Sequence, residues 1–253
     1  MKIAIFITAR LKSRRLPMKI VKLIEGRPMI CHMVDRLKLA RRPEEIVICT
    51  SNLEQDTPLV DIAEQECVSC FRGDPEDVLL RLTKAAEEFG VDTVVSCTAD
   101  NPFVDPEYVD RLVEFHLKHN HDFSKTEGLP WGTFSYALSY SAMVRACDIK
   151  AERDTEVWGG YFTETGLFKW GTLVVDDAAV RWPELRLTVD APEDFHLVTR
   201  IFQELYEPGK IFTLRDIVAL CRRKPELPAI NAAVQQMPGT PVKIKSGIMR
   251  LNG

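Results

Sequence analysis

Residues 3–22, IAIFITARLKSRRLPMKIVK, pass abruptly from an apolar run into a basic segment. The run from Ile3 to Ile7 is short, apolar and rich in β-branched residues, which predicts a buried strand. Residues 9–22, called the basic loop below, hold no acidic residue and six positive charges, at Arg10, Lys12, Arg14, Arg15, Lys19 and Lys22. Because open α/β sheets bind ligands beyond the carboxyl ends of their strands, this loop predicts an anion site. The alternative is a solvated surface loop.

Strand and helix patterns alternate four times over the first 118 residues. After the first strand, further strands are predicted at 45–50, 68–71 and 93–98. Helices are predicted to begin between and after them, at Pro28, Pro58, Asp74-Pro75 and Asp105-Pro106. This order is typical of an α/β fold with an open, mostly parallel, doubly wound sheet. Right-handed crossovers then place the carboxyl ends of all its strands at one edge.

After residue 118 the alternation of strand and helix patterns becomes less regular. Strands are predicted near 122–124 and 134–138, and a later one at 186–189, RLTV. Long helices are predicted to follow Pro192 and Thr213. With 253 residues in total, we expect one compact domain with at most a small appendage.

Composition excludes several classes of protein. A net charge of −4 argues against a general nucleic-acid binder, so no nucleic-acid partner is expected. No run of eighteen apolar residues occurs and the first ten residues do not resemble a signal peptide, which predicts a cytoplasmic protein without a membrane partner. The seven cysteines are odd in number, which argues against a disulfide framework. Cys67 and Cys70 lack the second ligand pair that a zinc site needs.

A repeated pattern, T-x-D-x-P, follows two of the predicted strands. Asp100 lies in Thr98-Ala-Asp100-Asn-Pro102, and Asp190 lies in Thr188-Val-Asp190-Ala-Pro192. Two carboxylates at the edge that carries the basic loop suit a hard cation such as Mg²⁺. Each aspartate could instead be a turn or cap residue before its proline. The matched copies opposite the basic loop favour the metal site.

A basic loop with paired aspartates is typical of metal-assisted phosphoryl or nucleotidyl transfer. Other common motifs are absent from the sequence. No G-x-x-x-x-G-K-[ST] occurs, which excludes the P-loop class, and no G-x-G-x-x-G follows the first strand, which disfavours a dinucleotide-binding fold. Neither H-E-x-x-H nor G-x-S-x-G occurs.

Four segments together resemble a known family. Residues 9–19, ARLKSRRLPMK, resemble the A-R-x-x-S-x-R-L-P-x-K signature of the SpsF-like cytidylyltransferases, which are relatives of the CMP-sialate and CMP-Kdo synthetases. Residues 71–79 are similar to that family's G-x-x-x-D-V-L segment. Residues 98–102 are similar to its T-G-D-x-P, and residues 187–194 to its L-T-V-D-T-P-E-D. The order and spacing agree over roughly residues 1–120 and 180–206.

The resemblance implies an enzyme of nucleotide-diphospho-sugar transferase-like (Rossmann-like) fold that uses CTP and Mg²⁺. Arg10 and Lys19 are implied to bind the triphosphate, and Asp100 and Asp190 to hold the metal. Supporting or nucleoside-bordering positions are implied at Ala9, Ser13, Arg14, Ser51 and Arg72. Three further cations gain no such role and are expected to be surface charge: Lys12, Arg15 and Lys22.

The region expected to face the acceptor departs from the family. Where many SpsF-like chains read R-E-H-V-T, residues 153–157 read RDTEV, so the histidine is absent. Arg153 and Glu156 are candidate acceptor contacts. Arg153 could pair with an acceptor carboxylate or phosphate, or it could form a surface ion pair with Glu152 or Glu156. Trp131 and Trp158 are expected to be core or lid residues.

These observations lead to one domain arrangement and one leading function. Residues 1–225 are expected to form a single nucleotidyltransferase domain, with 119–180 as an acceptor-binding and possible homodimer region and 226–253 as an irregular tail. The expected reaction transfers CMP from CTP to an acidic sugar or related surface-glycan precursor and releases pyrophosphate. Three alternatives stay open: a nucleotide-sugar-dependent glycosyltransferase, a nucleotidyltransferase with a phosphorylated non-sugar acceptor, and a non-enzymatic nucleotide-binding module.

Overall fold

A seven-stranded sheet lies at the centre of the protein, in a computed structural model that describes residues 1–13, 15–155, 157–236 and 241–247. Arg14 and Glu156 lie outside the described residues, so the roles predicted for them stay predictions. The described strands are β1 (Ile3–Thr8), β2 (Leu23–Ile24), β3 (Arg27–Pro28), β4 (Glu45–Ser51), β5 (Ser69–Gly73), β6 (Thr93–Thr98), β7 (Phe123–Glu127), β8 (Tyr136–Ser139) and β9 (Trp170–Val174). The described α-helices are α1 (Met29–Leu37), α2 (Pro58–Gln65), α3 (Val78–Phe89), α4 (Pro106–His119), α5 (Tyr140–Ile149), α6 (Gly160–Thr163), α7 (Pro192–Leu205), α8 (Leu214–Arg223) and α9 (Glu226–Ala229).

The strands of the sheet are mostly parallel. Their order is β5-β4-β1-β6-β8-β7-β9. β8 is antiparallel to both of its neighbours, β6 and β7, whereas the other pairings in the sheet are parallel. The chain winds outward from β1 in both directions, as a doubly wound sheet does. The predicted open, mostly parallel, doubly wound sheet is confirmed.

Helices cover both faces of the sheet, which explains the continuous apolar run in β1. Ile5 and Ile7 belong to a core shared with α1, α2, α4, α7 and α8. Ala4 and Phe6 belong to a second core shared with α3 and α5. A strand buried on both faces needs apolar side chains at every position rather than at alternate ones.

The prediction of a strand at 186–189 is wrong. Arg186 forms only an isolated parallel bridge with Trp131. The amide of Trp131 donates to the carbonyl of Leu185 at 2.8 Å, and the amide of Leu187 donates to the carbonyl of Trp131 at 2.7 Å. The segment is extended and buried, so its apolar pattern matches that of a strand, but it pairs with a loop instead of a sheet.

The helix predicted from Asp74 begins four residues later. The carboxylate of Asp74 accepts hydrogen bonds from the amides of Glu76 and Asp77, both at 2.9 Å, which makes a turn. Asp77 is the residue that caps α3, because its carboxylate accepts from the amide of Leu80 at 3.0 Å. Both aspartates precede the apolar helical pattern, and only the folded chain decides which of them is the cap.

Residues 242–244, near the carboxyl end of the chain, pack on the same body. Val242 is buried in the core that contains α3 and α5, and Ile244 packs against that core. The predicted division of the chain at residue 225 stays a prediction. None of the described helices is long and apolar enough to cross a lipid bilayer.

Candidate active site

The parallel pairing of β1, β4 and β6 brings the predicted site residues to one edge. Thr8, the last residue of β1, lies opposite Cys49 of β4 and Thr98 of β6. The basic loop therefore leaves the sheet beside the turn that carries Asp100. On the outer side, Ser51 lies opposite Gly73, so the ends of β4 and β5 are also neighbours of the loop.

Lys19 lies between the two predicted metal ligands. Its Nζ is 3.0 Å from Oδ2 of Asp100 and 3.0 Å from Oδ1 of Asp190, and it donates to the carbonyl of Val189 at 2.7 Å. The lysine side chain is 13% exposed. The structure thus brings together three residues that the sequence separates widely, and the two aspartates are called the carboxylate pair below.

A short turn presents Lys19 to the carboxylate pair. Met18 has a left-handed conformation, with φ of 58°, and a 3₁₀ turn follows at Lys19–Val21. The next side chain, Ile20, is buried in the core. This buried anchor fixes the turn, and the reversal at Met18 directs the chain so that Lys19 faces the sheet edge.

Backbone contacts hold the two aspartate-bearing segments together. The amide of Val189 donates to the carbonyl of Asp100 at 2.8 Å. Gly132, with φ of +92°, packs directly on the backbone of Thr188: a Cβ on this glycine would lie 2.5 Å from the amide nitrogen of Thr188. Only glycine has both the conformation and the size for this contact.

We expect Gly132→Ala to destabilise the protein and to displace the segment that leads to Asp190. The new methyl group meets backbone atoms that cannot rotate away, and φ is unfavourable for alanine, so a loss of about 2 kcal/mol or more is expected from urea unfolding. Gly26→Ala is the matched control, since its φ of +77° is similar but a Cβ added there would have no described atom within 4 Å. Equal losses in the two variants would contradict a role for the contact with Thr188.

A second set of side chains, which the sequence reasoning missed, fixes Asp190. Arg186 donates from Nη2 to Oδ2 of Asp190 at 2.9 Å and from Nε to Oδ1 of Asp194 at 2.9 Å. Asp194 in turn accepts from the amides of Asp190 and Ala191, at 2.9 and 3.0 Å, and from Nδ2 of Asn231 at 2.8 Å. The available signal was Asp194 at the third position of a helix that begins with proline, where an acid commonly bonds back to the cap.

Arg15 also belongs to this site, which corrects its expected assignment to surface charge. Its Nη2 lies 3.5 Å from Oδ2 of Asp190. Lys12 is different, because it is largely exposed and lies 3.8 Å from Glu76. Three cations therefore surround Asp190, whereas Lys19 is the cation that contacts Asp100 within the described part of the chain.

The charges of this cluster stabilise one another. Burial lowers the pKa of Lys19, but the adjacent carboxylates of Asp100 and Asp190 outweigh burial, so the pKa is raised above its ordinary value of 10.5. Burial raises the pKa of Asp190, but Lys19, Arg186 and Arg15 outweigh it and leave the pKa below 3.8. Lys19 is therefore protonated and Asp190 ionised throughout the neutral range.

The pH dependence of stability should follow from these two directions. A lowered pKa at Asp190 stabilises the folded state above about pH 3.8, and this contribution disappears as the pH falls through the lower pKa of the folded state. The raised pKa of Lys19 stabilises the folded state below about pH 10.5. This contribution is lost as the pH rises through the higher pKa of the folded state. We expect Asp190→Asn to lower the free energy of unfolding at pH 7 and to lower it less at pH 3, where part of the contribution is already lost. A deficit that is equal at both pH values would contradict this assignment.

Arg10, the other residue predicted to bind the triphosphate, lies at a different part of this sheet edge. Its guanidinium donates to the carbonyl of Pro75 and lies 3.7 Å from the carboxylate of Glu76. Both partners belong to the turn before α3. This turn is tied to the 150–155 segment, because Asp77 accepts from Thr155 Oγ1 at 2.9 Å and pairs with Lys150. Arg10 therefore links the basic loop to the region expected to face the acceptor.

The predicted nucleoside-bordering residues form the rest of the edge. Ser51 is fully buried and donates its hydroxyl to Asp56, whose carboxylate also accepts from the amide of Leu11 at 2.7 Å. Asp56, which the sequence reasoning missed, thereby ties the basic loop to the end of β4. Arg72 is exposed and donates to the carbonyl of Ser51 at 3.1 Å.

Two predicted residues of the basic loop have structural contacts. The amide of Ala9 donates to the carbonyl of Cys49 at 3.2 Å, and its small side chain is buried at the strand end. The hydroxyl of Ser13 accepts from the amide of Leu16 at 3.4 Å. Both residues shape the first turn of the loop.

A cavity of about 410 Å³ opens beside the carboxylate pair. Trp131, Phe134, Tyr136 and Trp158 supply aromatic walls. Trp158 is buried and Trp131 is 42% exposed, so one is a core residue and the other lies at the mouth. Arg153 is exposed and does not line this cavity.

The carboxylate pair fits a magnesium ion that takes its remaining ligands from water and phosphate, as Mg²⁺ usually does. Oxygens from both carboxylates converge on one Nζ, and, among the described residues, the buried side-chain oxygen of Asn101, next to Asp100, has no hydrogen-bond partner. Within the described residues, no group of three or more His, Cys, Asp or Glu side chains could hold a metal ion by itself. The two carboxylates alone therefore do not supply all the ligands of a metal ion.

Comparisons with known proteins find a matching family and several relatives. A family model described as cytidylyltransferase matches residues 4–162, which include Arg10, Lys19 and Asp100 but end before Asp190. An uncharacterized protein of Methanocaldococcus jannaschii is 29% identical over 93% of this chain and 97% of its own length. The spore coat polysaccharide biosynthesis protein SpsF of Bacillus subtilis is 27% identical over 88% of this chain and 95% of its own. A 3-deoxy-manno-octulosonate cytidylyltransferase of Pelobacter propionicus is 31% identical over 45% of this chain and 44% of its own.

Solved structures share the fold. A cytidylyltransferase from Leptospira borgpetersenii serovar Hardjo-bovis superposes with a TM-score of 0.82 at 24% identity, covering 94% of this chain and all of that one. A CMP:2-keto-3-deoxy-manno-octonic acid synthetase complexed with CTP superposes with a TM-score of 0.64 at 18% identity, covering 81% of this chain and all of that one. The expected nucleotide-diphospho-sugar transferase-like fold is confirmed.

Proposed function

Because this chain belongs to the cytidylyltransferase family, we propose that it transfers CMP from CTP to an acidic sugar or a related surface-glycan precursor. The observation that carries the proposal is Lys19, held between Asp100 and Asp190 at the end of the basic loop. The names of two relatives support the acceptor class, since one is a spore coat polysaccharide biosynthesis protein and the other a 3-deoxy-manno-octulosonate cytidylyltransferase.

The triphosphate would bind along the basic loop. Arg10 and Lys19 provide positive charge at two positions of the loop, and Ser13 shapes the turn between them. Lys19 is protonated in the neutral range because its carboxylate partners raise its pKa. A bound phosphate would compete with those carboxylates for the same ammonium group. Ala9, Ser51 and Arg72 would border the nucleoside.

The reaction is an in-line displacement at the α-phosphorus of CTP. The acceptor hydroxyl oxygen forms a new bond to this phosphorus, and the bond from the phosphorus to the bridging oxygen of the β-phosphate breaks. Pyrophosphate leaves with the electron pair of that bond, and the hydroxyl proton is released to solvent. Arg10 and Lys19 would stabilise the charge that develops on the phosphates.

Asp100 and Asp190 would hold Mg²⁺ at this site. When bound, the ion would supply further neutralisation of the phosphate charge. Arg186 and Asp194 orient Asp190, and the backbone contact between Val189 and Asp100 keeps the two carboxylates at the same edge. Residues of the chain therefore set the position of the pair before any ligand arrives.

The acceptor would enter the cavity beside the carboxylate pair. Its mouth at Trp131 is open, and its inner end reaches Asp100 and Asp190. Arg153 and Glu156 stay candidate acceptor contacts. We further propose that residues 1–225 form the nucleotidyltransferase domain and that 119–180 contribute to a homodimer, which light scattering on the purified protein tests.

The decisive experiment is a pyrophosphate-release assay with each of the four nucleoside triphosphates, Mg²⁺, and a panel of acidic sugars. We expect release with CTP and at least one sugar acid, and loss of release when the metal is chelated. Phosphorylated polyols in the same panel test the non-sugar alternative. No release with any pair, together with no binding of CTP by calorimetry, would contradict the proposal. Binding of an intact nucleotide-sugar in preference to CTP would favour a glycosyltransferase.

A further inference from the structure

The side chain of Arg36, in the last turn of α1, is buried beside aromatic rings. It is 3% exposed. Within the described part of the chain, its guanidinium donates no hydrogen bond and lies within 4.0 Å of no carboxylate. Its neighbours are instead two rings, since its Cζ lies 5.7 Å from the ring centre of Phe103 and 5.0 Å from that of Phe212. Buried arginines are nearly always paired, so this one is a candidate to receive an anion.

Two carboxylates that act electrostatically on Arg36 are already used elsewhere. Burial lowers the pKa of Arg36 to about 10, while Asp105 and Asp216 partly offset this effect. Asp105 caps α4, because its carboxylate accepts from the amide of Tyr108 at 3.1 Å. Asp216 accepts from the amide and hydroxyl of Thr213 at 2.8 and 2.7 Å. Arg36 therefore keeps its positive charge at neutral pH, and neither aspartate pairs with it.

Arg36 lines two cavities, one of about 310 Å³ and one of about 110 Å³. The larger, called the Arg36 cavity below, lies between α1, the end of α7 and the loop that follows α7. Its aromatic walls include Phe202, Tyr206 and Phe212. These rings contact one another. The ring centre of Phe202 lies 5.1 Å from that of Phe212 and 6.2 Å from that of Tyr206. A volume near 300 Å³ is at the lower end of the range for small-molecule sites.

The other charges at the Arg36 cavity are balanced. Arg27 donates to Asp35 at 3.1 Å and to Glu66 at 2.6 Å. Lys210, at the exposed rim, pairs with Glu207. Among the described residues that line the cavity, Arg36 is therefore the one whose charge is not paired. This single positive charge favours a ligand with one anionic group.

We propose that the Arg36 cavity binds a small anion whose carboxylate or phosphate group pairs with Arg36 and whose flat ring packs against Tyr206 and Phe212. The planar guanidinium offers two parallel N–H donors, which match a carboxylate or phosphate. The aromatic walls match a ring rather than a free inorganic ion. This site shares no residue with the candidate active site, so the inference does not depend on the proposed function.

The test is calorimetric titration of the protein with two probes, benzoate and phenyl phosphate. We expect saturable binding of at least one probe to the wild type, and binding at least about tenfold weaker to Arg36→Met. Arg42→Met is the matched control, since Arg42 is exposed and pairs with Glu114 at the surface. Arg36→Lys keeps the charge without the planar fork and should give intermediate affinity. A crystal soaked with 4-iodobenzoate should then show iodine in the cavity.

The basic loop could also attract these anions, so the titration is repeated with Lys19→Ala. Binding that survives in Arg36→Met and disappears in Lys19→Ala would overturn the proposal, because the anion would then lie in the loop. Binding of neither probe to the wild type, with only ordered water next to Arg36 in the crystal, would overturn it as well. Thermal unfolding separates these outcomes from misfolding: removal of an unpaired buried charge should leave Arg36→Met at least as stable as the wild type.

Discussion

Lys19→Ala is expected to lower turnover by about 10² or more, one of the two largest effects that we predict for a single side chain. The change removes the ammonium group that would stabilise the phosphates of CTP. It also leaves the carboxylates of Asp100 and Asp190 near each other without the cation between them. Both consequences act against a ligand with several negative charges. Steady-state kinetics with CTP and the identified acceptor measure the loss.

Two further variants make this result interpretable. Lys84→Ala removes an exposed lysine that pairs with Glu87 on α3, and it should leave turnover unchanged. Lys19→Arg retains the charge and should recover part of the activity. We also expect Mg²⁺ alone to raise the melting temperature of Lys19→Ala more than that of the wild type, because the lysine no longer competes for the carboxylate pair. An effect of Lys19→Ala below threefold would mean that the triphosphate binds elsewhere.

The second large effect is expected for Asp100→Asn, with a loss of turnover of about 10² or more. Asparagine keeps the shape and one oxygen but removes the charge that would attract Mg²⁺. Asp100 is a cleaner test than Asp190, because Arg186, Arg15 and Lys19 all contact Asp190 and its replacement would disturb each of them. Turnover is measured as a function of Mg²⁺ concentration.

The control for this variant is Asp61→Asn, on the exposed side of α2. It should match the wild type in turnover and in its dependence on Mg²⁺. Asp100→Asn should instead need more Mg²⁺ to reach half of its own maximal rate. If its rate falls while the dependence on Mg²⁺ is unchanged, Asp100 acts through Lys19 and does not hold the metal.

The parts of the fold that were predictable are those where local pattern and burial agree. β1 is a nearly continuous apolar run, and β4 and β6 are rich in buried apolar residues, because helices cover both faces of the sheet; their order with the helices predicts parallel pairing. The direction of β8 was not predictable, since an antiparallel strand has no distinctive pattern of its own. The segment at 186–189 has the sequence pattern of a strand because burial alone produces that pattern.

Some residues of the candidate site were likewise predictable from the sequence, and others were not. Asp100 and Asp190 stand in a repeated motif, and Lys19 stands in the basic segment that resembles a family signature, so the sequence points to all three. Arg186, Asp194 and Asp56 act by holding other residues in place, and their roles depend on contacts between distant segments. Arg36 is the extreme case, because in the sequence it is one basic residue at the end of an amphipathic helix, and its burial beside aromatic rings exists only in the folded protein.

The position of Lys19 has a consequence for how the protein is made. Its two carboxylate partners are 81 and 171 residues away in the chain. Contacts of such long range form late, since much of the intervening chain must already be ordered. During synthesis, a nascent chain that ends before residue 190 contains the complete basic loop but only half of the carboxylate pair. Full catalytic competence should therefore appear only after the segment carrying Asp190 has left the ribosome and docked against the loop that contains Gly132.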